Sequence, residues 1–322
     1  MQSLGVFGGC LKPVLITWHA VCPCIAGVES TRRAAKYMEK KDNGIGRRLF
    51  IKTAMASTVV AVPTSGLLHA GGFKSDSLQV WSCGGLSEAF KAANSSYEKR
   101  TGIKVVYTGA FAAALGKSLL GGAETEVFAG RVLKLAKDLR EADKMIYFKP
   151  LCFTEYVLIT PTGNPAGIRS VEDLARPGVP VILPLGASPP GGDAVLGILK
   201  KAGLEEAIRK NVIENETCVI KMMPKIINGN GSASIVEKRL TRLEQFVGKV
   251  DVISIPENLF PPGPLTFTIG VMKCVNDRAI ADDYVDFMCS VEAQSIFERQ
   301  GFIPAISDKG RMLIEELGVK DA

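Results

Sequence analysis

Histidine is almost missing from this chain. Of 322 residues only His19 and His69 are histidine, and none lies beyond residue 70. For the body of the chain that excludes a His-ligated zinc or copper site and any Ser–His or Cys–His nucleophile pair. An excess of charge is missing there too. The formal charge of +6 belongs to the first 70 residues, which hold nine Lys and Arg against three acids and leave 30 of each sign downstream. A balanced body carries no electrostatic footprint for nucleic acid or an anionic membrane. The mild apolar run over 53–62 is too short, and too rich in Ala and Thr, to span a bilayer stably. Cys22-Pro23-Cys24 lacks the second pair that would make a strong zinc signal. Internal repeats and low-complexity tracts are absent as well.

What is present begins with two adjacent arginines. Arg47-Arg48-Leu49-Phe50-Ile51-Lys52, the short apolar run and a polar exit to Ala70 have the order of an export signal. The paired arginines followed by Phe50, Ile51 and Lys52 resemble the twin-arginine signal, whose translocase carries folded proteins. The reading is a leader over 1–70, cleaved after Ala70, with translation starting at Met38 and the first 37 or so residues untranslated. Five cysteines follow the leader: Cys83, Cys152, Cys218, Cys274 and Cys289. An odd number in an exported protein leaves at least one thiol free or paired between molecules.

The body alternates strand and helix. Leu78-Gln79-Val80-Trp81 reads as a strand. Leu86, Ala89, Phe90, Ala93 and Tyr97 form one face of a helix that stops near Thr101-Gly102. Further strands are expected at Ile103 to Tyr107, Val127-Phe128, Tyr156 to Ile159, 181–183, 234–236, 250–255 and 265–272. The alternation argues for an α/β protein with a parallel sheet, and the breaks at Thr162-Gly163-Asn164-Pro165 and Pro256 to Pro264 argue for two lobes.

In order and spacing these residues resemble a family. Leu78 to Trp81, Leu86 to Phe90 and Tyr97 to Val105 are similar to the amino-terminal block of molybdate- and tungstate-binding proteins of ABC importers. Glu126-Val127-Phe128-Ala129, Thr162 to Pro165, Val171 to Leu174, Val285 to Met288, Glu292 to Gln294 and Gly301-Phe302 match its later blocks. The resemblance implies a type II periplasmic-binding fold: two α/β lobes, a central cleft and two hinge crossings. One lobe is expected from 77–159 plus 263–322 and the other from 160–262, crossing near Thr160-Pro161 and Pro261-Pro262. It also implies a soluble, monomeric periplasmic protein, not an enzyme. It would deliver a small, anionic solute to an ABC permease, with no cofactor, metal or nucleic acid. The implied ligand-binding residues sit in three strand-to-helix loops, Cys83-Gly84-Gly85, Ala110-Phe111-Ala112 and Pro190-Gly191-Gly192-Asp193, with Glu237 from a strand end. Such loops offer unpaired N–H groups to an anion.

The sequence departs from the family at the cleft. Gly85 and Ala110-Phe111-Ala112 replace loops that carry serines, Glu237 stands at a tyrosine position, and Asp193 at a neutral or basic one. Two carboxylates would repel a dianion, and the three loops supply no cation. Either Glu237 points away from the ligand, or the ligand carries a proton, an amine or a metal. On that footing backbone amides bind the solute and Glu237→Gln strengthens oxyanion binding. The alternatives are a cleft enzyme pairing Cys83, its thiol acidified at a helix start, with Glu237, and a sensor- or adhesion-associated binding protein on the same fold.

Overall fold

A computed structural model describes residues 75–321, apart from Ser188 and residues 263–264. The leader, with its twin arginines, Met38, both histidines and Ala70, lies outside the described residues.

Strand β1 (Ser77–Cys83) turns Leu78, Val80 and Ser82 into the core by simple alternation. It pairs in parallel with β2 (Lys104–Ala110) on one side and β3 (Val127–Arg131) on the other. Between β1 and β2 runs α1 (Ser87–Thr101), which buries Ala89, Phe90, Ala93 and Tyr97 and ends on left-handed Gly102. Helices α2 (Ala112–Leu120) and α3 (Leu133–Glu141) follow β2 and β3.

The first sheet is completed by β4 (Met145–Thr154), β10 (Thr266–Met272) and β11 (Phe302–Pro304), in the order β11-β4-β10-β3-β1-β2. It is mixed, not parallel. Every residue of β10 is buried, and the strand lies antiparallel between β3 and β4. The α3 crossover therefore leaves β3 and β4 parallel but one strand apart, and β10 arrives from far along the chain to fill the gap. Strand β4 had no sequence signal because Lys149 and Pro150 interrupt it. The register shifts beside Pro150, between the pairs Phe267–Cys152 and Thr268–Pro150, and such an irregularity is where a strand tolerates a residue without an N–H. Helices α7 (Arg278–Met288) and α8 (Val291–Arg299) pack Tyr284, Phe287 and Phe297 with Phe90 and Tyr97 in the core of this sheet.

The second sheet sets β5 (Tyr156–Pro161) between β8 (Ser234–Glu237) and β9 (Val250–Ser254), all antiparallel. A parallel pair, β6 (Val181–Leu183) and β7 (Val212–Asn215), joins it through the bridge Val181–Ala233. Helices α4 (Gly191–Lys201), α5 (Glu205–Asn211) and α6 (Val219–Ile227) complete this half, with Ile198 and Ile208 in one core and Met222 and Ile226 in another.

The chain passes from the first sheet to the second at Glu155, the single residue between β4 and β5, rather than at Thr160-Pro161. The reason is that Tyr156 to Thr160 are buried inside the second sheet, with Val157 to Ile159 paired on both sides. Helix α9 (Asp308–Leu317) also departs from the expected division: its Leu313 packs with Phe153, Ile303 and the core of the second sheet. Among the described residues no helix is long and apolar enough to cross a membrane.

Candidate ligand-binding site

Parallel strands β1, β2 and β3 end at one edge of the first sheet, and their last residues are Cys83, Ala110 and Arg131. Cys83 lies opposite Ala110 in the ladder, and a side chain on Gly84 would begin 3.5 Å from the Ala110 carbonyl oxygen. The first two predicted loops therefore adjoin. Behind them Ser82 Oγ and Tyr107 OH share a 2.7 Å hydrogen bond, and Tyr107 OH donates to Ser87 Oγ at 3.3 Å. These hydroxyls brace the loops from behind. Phe111, 54% exposed, is left unpacked at the start of α2.

Strand β8 brings Glu237 from the second sheet to Arg131 at the end of β3. The Nη1 of Arg131 donates to Glu237 Oε1 at 2.7 Å, and its Nη2 donates to Thr154 Oγ1 at 3.3 Å and Tyr156 OH at 3.1 Å. The guanidinium also lies 5.3 Å from the centre of the Phe267 ring. On the other oxygen, Arg239 Nε donates to Glu237 Oε2 at 2.5 Å. The side chains of Arg131 and Glu237 are only 6% and 9% exposed, so this is a desolvated ion pair joining the two sheets. Thr154 and Tyr156 flank Glu155, which puts the pair beside the first crossing.

The electrostatics correct two expectations. Burial alone would push the Glu237 carboxyl up, but the charges of Arg131 and Arg239 and their hydrogen bonds hold it down at about 2. Glu237 is thus neither solvated nor uncompensated: its two cations come from outside the three loops. Burial lifts the Cys83 thiol above its ordinary value, and Arg131 only partly offsets it. The helix start does not make a thiolate here. With the thiol neutral and Glu237 tied to two guanidinium groups, neither is prepared as nucleophile or base. Burial likewise raises the Tyr156 phenol and keeps it neutral.

The third loop is placed differently. Pro190 caps α4, Gly191 and Gly192 open it, and Asp193 in its first turn is exposed. Gly192 is required by its own loop, since a Cβ there would sit 2.7 Å from the Leu185 carbonyl oxygen and 2.9 Å from that of Ala187. Its nearest neighbours are carbonyl oxygens of that loop. A separate groove of about 240 Å³, lined by Phe260, Leu265, Lys309 and Leu313 among others, shares no residue with this cluster.

Arg131 and Arg239 are the residues the sequence reading missed. Arg131 ends an otherwise apolar strand, Val127-Phe128-Ala129-Gly130, which is itself a signal of a buried, partnered charge. Arg239 lies two residues beyond Glu237, in the 3-10 turn Lys238–Arg242 that begins where β8 ends.

Known proteins agree with this architecture. Residues 78–303 match the family described as bacterial extracellular solute-binding protein. The molybdate-binding protein ModA of Mycobacterium tuberculosis is 28% identical over 220 residues, which is 67% of this chain and 78% of the relative. The sulfate-binding protein of Synechococcus elongatus is 23% identical over 242 residues, 66% of this chain and 67% of the relative. Among solved structures, the periplasmic molybdate-binding protein of Azotobacter vinelandii superposes with a TM-score of 0.56 at 16% identity. That match covers 70% of this chain and 98% of the other.

Proposed function

The chain belongs to the bacterial extracellular solute-binding protein family, and from that premise we propose that it captures a small oxyanion in the cleft between its two sheets and delivers it to an ABC permease. The observation that carries this reading is the cationic cluster, Arg131 and Arg239 around one carboxylate, set beside the Cys83-Gly84-Gly85 and Ala110-Phe111-Ala112 loops. Relatives that bind molybdate and sulfate support the ligand class. Pro190 to Asp193 belong to the site as the rim of the second half. The halves act as lobes, with Glu155 as one crossing and the segment between β9 and β10 as the other, and they close on the ligand as a hinge. The protein works as a monomer in the periplasm.

A thermal-shift screen over molybdate, tungstate, sulfate, phosphate, carboxylates, amino acids and metal chelates tests the ligand. An anion present at 100 times its Kd stabilises by about 2.7 kcal/mol whatever the details of the site. Stabilisation by an amino acid or chelate, with none from any oxyanion, would overturn the reading. Export through the twin-arginine translocase is part of the same proposal. Arg47→Lys with Arg48→Lys is expected to abolish periplasmic accumulation, and unchanged fractionation would remove that claim.

A further inference from the structure

We propose that Arg239 is the anion-binding side chain of the cleft: its Nε is tied to Glu237, and the guanidinium lies against Gly85, where its remaining donors can take an oxyanion seated on the first loop. This rests on the solute-binding reading above, and it names a cationic residue that the three loops do not supply.

Geometry separates the two arginines. Arg131 is spent: its terminal nitrogens bond to Glu237, Thr154 and Tyr156, and its face lies on Phe267. Arg239 is half used. Only its Nε has an acceptor among the described residues, Glu237 Oε2, and its side chain keeps 18% exposure. The guanidinium as a whole lies against the first loop. A Cβ built on Gly85 would stand 3.6 Å from Arg239 Nε, 3.7 Å from Cζ and 3.8 Å from Nη2. A guanidinium fixed through Nε and open along its other edge is a two-pronged donor suited to a carboxylate, sulfate or phosphate.

The charge count points the same way. The cluster sets two guanidinium groups against one carboxylate, while Cys83 and Tyr156 are held neutral by burial. It carries one positive charge in excess in a largely desolvated place, and such a charge calls for a counter-ion. Glu237 then serves as a bracket that sets Arg239 in place, not as a filter against anions.

Isothermal titration of sulfate and molybdate into the wild type, Arg239→Gln, Arg239→Lys and Gly85→Ala decides it. Arg239→Gln is expected to weaken whichever oxyanion binds by at least about tenfold, as for a lost charge-assisted hydrogen bond, with Arg239→Lys between them. Gly85→Ala guards against a folding artefact. Its methyl group would meet Arg239 only at ordinary contact distance, so the fold stands, but it fills the space between loop and guanidinium and must also weaken binding. An oxyanion that binds the wild type and all three variants equally overturns the role of Arg239 and leaves the solute-binding function intact. A wild type that binds neither of these nor any other oxyanion of the thermal-shift screen overturns both.

Discussion

Glu237→Ala is expected to lower the unfolding free energy by about 3–5 kcal/mol, because it leaves the Arg131 guanidinium buried beside the crossing without its counter-charge. Glu237→Gln should cost less, since an amide oxygen still accepts one of the two arginine donors. For anion binding Glu237→Gln has two opposed effects on the proposed role of Arg239: it removes a negative charge and it loosens the bracket on that side chain. Replacing Arg131 and Glu237 together by methionine should recover much of the loss, because an apolar pair of similar volume removes the desolvation cost as well as the attraction.

The pH dependence has a definite sign. The carboxyl has an ordinary value of 4.5 and is held at about 2 in the folded chain. A depressed carboxyl stabilises fully above its unfolded value and loses that contribution as pH falls through its folded value. The gap in stability between wild type and Glu237→Ala should therefore be full at neutral pH and shrink between pH 4.5 and about 2. Denaturant melts at pH 7 and pH 3 measure it. A gap that is the same at both would mean that Glu237 is not held by the two arginines.

The second large effect is expected at Gly301, in the turn between α8 and β11. Its φ is +85°, and a Cβ there would lie 2.9 Å from the backbone nitrogen of Arg239 and 3.0 Å from its Cα. Gly301→Ala combines left-handed strain with a clash against main chain that cannot rotate away, for about 2–4 kcal/mol. The consequence reaches the cleft, since the backbone pushed aside is the one that carries Arg239. Both a lower Tm and weaker oxyanion binding are expected. A variant as stable as the wild type would mean that the backbone of 238–239 does not rest on Gly301 in solution.

Much of this architecture was legible in the sequence wherever the signal is local. Phe90, Ala93 and Tyr97 at helical spacing gave α1, and Thr101-Gly102 its end. Leu265 to Met272, largely apolar, gave β10. Position in a sheet is not local: nothing in β10 itself says that it runs antiparallel between β3 and β4. Strand β4 hid behind Pro150, and α9 behind a charged surface. The cleft shows the same limit. Gly85 and Glu237 could be singled out one at a time. The partner of Glu237 lies more than a hundred residues earlier, on a strand whose apolar run drew attention away from the arginine at its end. Arg239 is no easier to find, because it reaches back to Glu237 from a short 3-10 turn rather than from the strand itself.

The place of β10 also dictates an order of events in synthesis. Strands β3 and β4 leave the ribosome early, yet their shared neighbour begins at Thr266, after residues 155–265 have been made. Until then the facing edges of β3 and β4 stand open, and the first sheet cannot close from its own half of the chain. Such long-range pairing makes for slow folding and leaves bare strand edges that invite association. The last portion of the chain thus completes the half that began first, and a nascent chain stopped short of Thr266 should be trapped by chaperones or aggregate.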